Sequence, residues 1–166
     1  MFFARPFALI LSASSLLLAA PAVGAASPSP TDPTSLATSA EVKAQIAAMA
    51  KAMKPGQGFL WQPLLRDGAT IAALEYWKKP GPPAVHPAQD EYTIVMEGAG
   101  TLVSGGTLVD PKVTNPTLTE GSRIEGGTTR TLRPGDVILI PAGTPHWFGI
   151  SGEKLVLLGV KIPTGR

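Results

Sequence analysis

The chain has 166 residues, the length of one ordinary domain, and its 44% hydrophobic and 16% charged content excludes a disordered polymer. Its 14 basic and 12 acidic residues form no Lys/Arg cluster and no basic helix, so nothing supports nucleic-acid binding. It contains no cysteine, which excludes disulfides, thiol catalysis and a lipid anchor on a cleavage-site cysteine. A domain of this size buries roughly two-thirds of its unfolded surface and folds without such staples.

Residues 1–26 read as a secretory signal peptide: Arg5, then an apolar run from Phe7 to about Ala20, then small residues ending at Ala25 or Ala26. The run is shorter than the roughly 20 residues that span a bilayer. The expected location is therefore periplasmic or secreted, with no membrane attachment after cleavage. Cleavage removes one basic residue and no acidic one, which leaves a nearly neutral chain, so the pI of about 9.0 says little about partners. Residues 27–38, SPSPTDPTSLAT, are polar and proline-rich and read as a flexible leader.

A helix is predicted over 39–54. Thr38 and Glu41 form a capping box, Val42, Ile46, Met49 and Met53 recur at helical spacing, and Lys54-Pro55-Gly56 ends it. The stripe reads as core packing on the side of a barrel. Beyond Gly56 the chain turns to short β-rich runs: Phe59 to Leu65, Thr70 to Trp77, Glu91 to Glu97, Gly100 to Val103, Thr107 to Val109, Thr129 to Leu132, Val137 to Ile140, Trp147 to Ile150 and Leu155 to Ile162. Asp67-Gly68, Gly105-Gly106 and Arg133-Pro134-Gly135-Asp136 supply turns. Residues 107–128 contain a polar stretch that reads as an extended loop over the barrel mouth. Many short strands with turns between them predict an all-β sandwich or barrel, with residues 39–166 as one domain.

The chain has two histidines, each in a distinctive frame. In AVHPAQDEYTIVMEG, four residues separate His86 from Glu91 and six separate Glu91 from Gly98. In GDVILIPAGTPHWF, Gly135 leads to Pro141, Gly143 and His146. These frames resemble the two motifs of the cupin superfamily. The first has two histidines one residue apart, a glutamate after three or four residues and a glycine after six more. The second runs glycine, five residues, proline, one residue, glycine, two residues, histidine. The resemblance implies a double-stranded β-helix, or jelly-roll, barrel with a short N-terminal helix.

It also implies a divalent transition metal (Fe, Mn, Zn or Ni) on His86, Glu91 and His146, and a small-molecule ligand. Alternate strand residues share a face, so Glu91, Thr93 and Val95 point inward together. Pro141 and Gly143 turn the chain back into the barrel at His146. The first histidine of the family's pair falls on Ala84 here, and the closing asparagine on Ile150. Three protein ligands with open positions suit a catalytic metal, and a two-histidine, one-carboxylate set suits iron(II). The same loss fits a barrel that has given up its metal. Gln89 and Asp90 stand close enough in sequence to fill in.

The function implied is a metal-dependent enzyme of dioxygenase, isomerase or lyase type. The alternative is a non-catalytic barrel that binds a sugar or phenolic compound, with or without metal. A homodimer is implied by resemblance alone. Tyr76 and Trp147 are expected to line the substrate pocket, while Glu75 and Lys78, beside Tyr76-Trp77, read as solvated surface, with proton transfer as the alternative role. Gly98, Gly100, Gly105 and Gly106 lie between strands with no following helix and read as turns, not as a nucleotide loop.

Overall fold

The computed structural model describes residues 32–165. The expected signal peptide and residues 27–31 of the leader lie outside the described residues. Residues 33–38 form neither helix nor strand. Among the described residues no helix is long and apolar enough to cross a membrane.

Helix α1, Ser39–Ala52, starts where the sequence places it. The Thr38 side chain accepts from the Glu41 N–H while the Glu41 carboxylate accepts from the Thr38 N–H at 2.7 Å, a reciprocal cap. It ends short of the predicted boundary because Met53 adopts an extended conformation. The strands are β1 Phe59–Asp67, β2 Thr70–Trp77, β3 Ala84–Val85, β4 Gln89–Ser104, β5 Thr107–Val109, β6 Lys112–Asn115, β7 Leu118–Glu120, β8 Arg123–Glu125, β9 Thr128–Leu132, β10 Val137–Ile140 and β11 His146–Pro163.

Strands β4 and β11 carry the architecture. They pair antiparallel from Gln89↔Pro163 to Ser104↔His146. The first half of β4 also pairs with β10 and the second half with β9, while the second half of β11 pairs with β2. One continuous ribbon thus serves both walls of a curled sheet. The bend falls at Gly98, whose φ is +82° and where a Cβ would lie 2.1 Å from the Lys154 carbonyl oxygen. No other residue fits that position without moving the partner strand.

The 107–128 segment departs from expectation. Strand β5 forms as expected, but the polar stretch after it is not an open loop: it holds three more short strands, with β8 paired to β5, β6 to β7, and β7 to β3. All four residues of β6 are exposed, so no hydrophobic alternation marks the strand.

Two apolar clusters hold the fold. Val95, Leu102, Leu132, Ile140, Phe148, Leu155 and Leu157 fill the barrel interior. Ile46 and Met49 of α1 pack on Leu74, Tyr76 and Val156 outside the sheet. Full burial of such a side chain contributes about 1.5–3 kcal/mol. Strands β2 and β11 are therefore covered on both faces, inside by the barrel core and outside by α1.

Candidate metal centre and pocket

Backbone contacts bring the two histidine frames together. The turn 141–144 is closed by the Thr144 N–H donating to the Pro141 carbonyl at 3.1 Å, with Gly143 at φ +77°. That turn is tied to the other frame twice. The Gly143 N–H donates to the His86 carbonyl at 2.9 Å, and the Ala142 N–H donates to Asp90 Oδ1 at 2.7 Å. His146 then opens β11 opposite Ala84 on one side and Ser104 on the other. Glu91 projects inward from β4, level with Lys161 of β11.

The three side chains converge. Glu91 Oε2 lies 3.2 Å from His146 Nε2 and 3.6 Å from His86 Nε2, and the two imidazole rings stack with centroids 5.5 Å apart. One potential ligand atom from each residue lies within 4.8 Å of the others. On the far side of each ring, His86 Nδ1 meets the Thr117 carbonyl at 2.9 Å and His146 Nδ1 meets the Thr144 carbonyl at 3.0 Å. A carbonyl only accepts, so both Nδ1 atoms carry the proton and both Nε2 lone pairs face Glu91. Burial, aided by the nearby Lys161 charge, holds His86 below its ordinary pKa and keeps the ring neutral.

With both rings neutral, two nitrogen lone pairs point at a carboxylate oxygen, an arrangement that repels itself unless a cation or a further proton lies between. Glu91 Oε2 is buried and accepts no hydrogen bond of regular geometry, whereas Oε1 accepts from Thr93 Oγ1 at 3.1 Å. The donor set, the satisfied outer nitrogens and the orphaned oxygen fit a divalent transition metal. One cation is already near: Lys161 Nζ lies 2.7 Å from the same oxygen. Burial pushes the Glu91 pKa up, and the Lys161 ammonium beside the same oxygen pulls it down.

Above this group opens a cavity of about 460 Å³. Its floor is His86, Glu91, His146 and Lys161; its walls include Phe59, Trp61, Trp77, Trp147 and Phe148. Leu118 and Glu120 of β7 close one side, so the β6–β7 hairpin both lines the cavity and orients His86 through Thr117. A second groove, about 470 Å³ between α1 and β1, is lined mostly by small side chains and contains no member of the His86, Glu91, His146 group.

Trp147 lines the cavity, with its indole N–H donating to the Gly81 carbonyl at 2.7 Å. Tyr76 does not: it points outward and is buried with Ile46 and Met49 beneath α1. Strand alternation instead turns its neighbours Glu75 and Trp77 inward. Glu75 is thus not solvated surface but buried, at 9% exposure, and accepts from the Trp77 indole N–H at 3.2 Å. Burial raises its pKa, against the opposing charge of Lys161. Lys78, as expected, is exposed. Ala84 lines the cavity without a ligand atom, Asp90 serves the turn, and Gln89 is not among the lining residues. Sequence reasoning missed Lys161, Phe59 and Trp61. The signal for Lys161 was its parity with Leu155 and Leu157 on β11.

Comparison with known proteins agrees with this architecture. A family model described as Cupin matches residues 64–162. Among solved structures, hydroquinone 1,2-dioxygenase PnpCD, in complex with Cd2+ and 4-hydroxybenzonitrile, is similar at 21% identity, with 72% of each chain covered and a TM-score of 0.53. A putative mannose-6-phosphate isomerase from Ralstonia eutropha JMP134 is similar at 23% identity, with 66% of this chain and 88% of that one covered and a TM-score of 0.48. The TT1209 protein from Thermus thermophilus is similar at 18% identity, over 70% of this chain and 94% of that one, with a TM-score of 0.49. No curated protein matches. By the family match over most of its length and the barrel it forms, the chain belongs to the cupin family.

Proposed function

We propose that this chain is an exported small-molecule cupin that holds one divalent transition metal on His86, Glu91 and His146 and acts as a metal-dependent enzyme on a small oxygenated substrate. The observation that carries this reading is the convergence on the buried Glu91 Oε2 of two imidazole Nε2 atoms whose Nδ1–H groups are already committed. When bound, such a metal supplies Lewis acidity or oxygen activation at its open positions. The protein's part is to orient and to desolvate. Thr117 and Thr144 lock the rings, Thr93 holds the other carboxylate oxygen, and the aromatic walls exclude water. Ala84, in place of a fourth ligand, leaves room for substrate beside His146. Glu75, buried in the wall with its carboxylate held by the Trp77 indole, is placed to exchange a proton with substrate.

The test is metal content of the protein purified without a metal-affinity tag, beside a His86→Ala, His146→Ala double variant. Close to one metal per wild-type chain and none in the variant is the expected result; a metal-free wild type that takes up neither Fe(II), Mn(II), Ni(II) nor Zn(II) sinks the reading. A second reading, a binding barrel without metal, is favoured by one contact. Lys161 Nζ, 2.7 Å from Glu91 Oε2, already supplies a positive charge to that carboxylate. Export rests on the N-terminal sequence pattern, and N-terminal sequencing of the exported protein checks it: a chain beginning near Ala26 or Ser27 is expected, and an intact Met1 overturns it.

A further inference from the structure

We infer that the cavity selects a small phenolic compound, a flat aromatic ring bearing an ionisable oxygen, over a sugar or an aliphatic acid. The inference rests on the metal reading only for where the oxygen goes; the choice of ring rests on the walls. All three tryptophans of the chain and both phenylalanines of the described residues line this one cavity. Tyr76, the remaining buried aromatic residue, is turned away from it. Phe59 and Trp77 pack ring on ring with centroids 4.0 Å apart, and Phe148 meets the His146 ring edge-on at 6.1 Å. At the rim, Phe59 and Trp61 are 38% and 42% exposed, which leaves two large apolar faces toward solvent at the entrance.

Most of the polarity of the cavity lies at its floor. The Trp77 indole N–H is given to Glu75 and the Trp147 indole N–H to Gly81, so these two walls offer a ligand π-faces and no free donor. Polar groups gather on the floor and beside it: His86, Glu91, His146 and Lys161, with Glu75 adjacent; Glu120, on the β7 side, has Oε2 accepting from Thr114 Oγ1 at 2.8 Å. A sugar carries hydroxyls around its whole edge, and many of them would lie unpaired against indole and phenyl faces, which is costly. A planar ring with oxygen at one end matches both poles. Its faces stack offset or edge-on with the aromatic walls, and its oxygen, once ionised, meets the Lys161 ammonium and the open side of the histidine pair.

The three tryptophans make the cavity its own reporter. Catechol, cyclohexane-1,2-diol, glycolate and glucose are titrated into the purified protein loaded with redox-inert Zn(II), with intrinsic fluorescence and calorimetry as readouts and zinc content measured in parallel. Catechol is expected to quench saturably and to bind about tenfold or more tightly than each of the others. A Trp61→Leu variant, altered at an exposed rim position, is expected to keep the wild-type melting temperature and zinc content while losing most of catechol's advantage over glycolate. Equal binding of the diol, glycolate or glucose overturns the inference even if one zinc per chain is held, and so does the absence of binding by every probe. Selective catechol binding by a protein that holds no zinc leaves this inference standing and removes the metal reading instead.

Discussion

The two ends of the barrel interior share the same strands and differ in everything else. At one end, Val95, Leu102, Leu132, Ile140, Leu155 and Leu157 are at most 3% exposed and form an unbroken apolar core. At the other, the inward positions of the same β4 and β11 become Glu91, Thr93, His146 and Lys161, and the interior opens into a cavity. Phe148 belongs to both, lining the cavity and packing on the core. Along β4 the change occurs between Thr93 and Val95, one step of the inward-facing alternation. The closed end supplies the stability that lets the open end carry polar groups a sealed core would not tolerate.

That division can be broken most sharply from the closed end. Leu157→Ala removes a fully buried side chain and should cost about 2–5 kcal/mol in chemical denaturation, with metal stoichiometry of the folded fraction unchanged. Loss of metal at mild denaturant alongside native melting would show the two ends are not separable. From the open end, chelation comes next. A ligand that binds only the folded state at about a hundred times its Kd adds about 2.7 kcal/mol, so a chelator should lower the wild-type melting temperature by several degrees and leave the His86→Ala, His146→Ala variant unmoved.

Lys161→Met sharpens the picture of the floor. Removing the cation 2.7 Å from Glu91 Oε2 should tighten metal binding by about tenfold, the equivalent of 1.4 kcal/mol. Weaker binding in a competition titration would mean that Lys161 supports the site and does not compete with the ion. The smallest effect is expected at Glu75. Its folded-state pKa is raised, chiefly by burial, so its contribution is fully present below the unfolded value of about 4.3 and is lost as pH rises through the folded value. Glu75→Gln should therefore raise the melting temperature by a few degrees at pH 8 and by less at pH 4. An equal change at both pH values would show that the carboxyl does not titrate differently in the folded chain.

Local rules were legible where one face of an element meets solvent or where a cap marks its start. Helix α1 follows from Thr38, Glu41 and a four-residue apolar stripe; the hairpin at Asp67-Gly68 follows from its turn residues. The strand β2 was legible as a strand but not in its sense. Leu74 and Tyr76 face α1 while Glu75 and Trp77 face the barrel, and a strand covered on both sides shows no contrast to say which side is which. The β6–β7 hairpin was illegible for the opposite reason: with β6 wholly exposed, its strand character comes from pairing with β7, and β7 in turn pairs with β3.

The spacing of His86, Glu91 and Gly98, and of Gly135, Pro141, Gly143 and His146, was enough to name the candidate ligands, because turn geometry and strand alternation act over a few residues and are written in consecutive positions. Tertiary structure alone decided what surrounds them. Lys161 reaches Glu91 because β4 and β11 pair in one particular register. Thr117 reaches His86 because a hairpin folds over the mouth, and Trp61, Trp77 and Trp147 share a wall because β1, β2 and β11 curl around one cavity. These contacts join residues far apart in the chain, and their pairing is set by which register buries the most apolar surface, a property of the whole sheet and of no single segment.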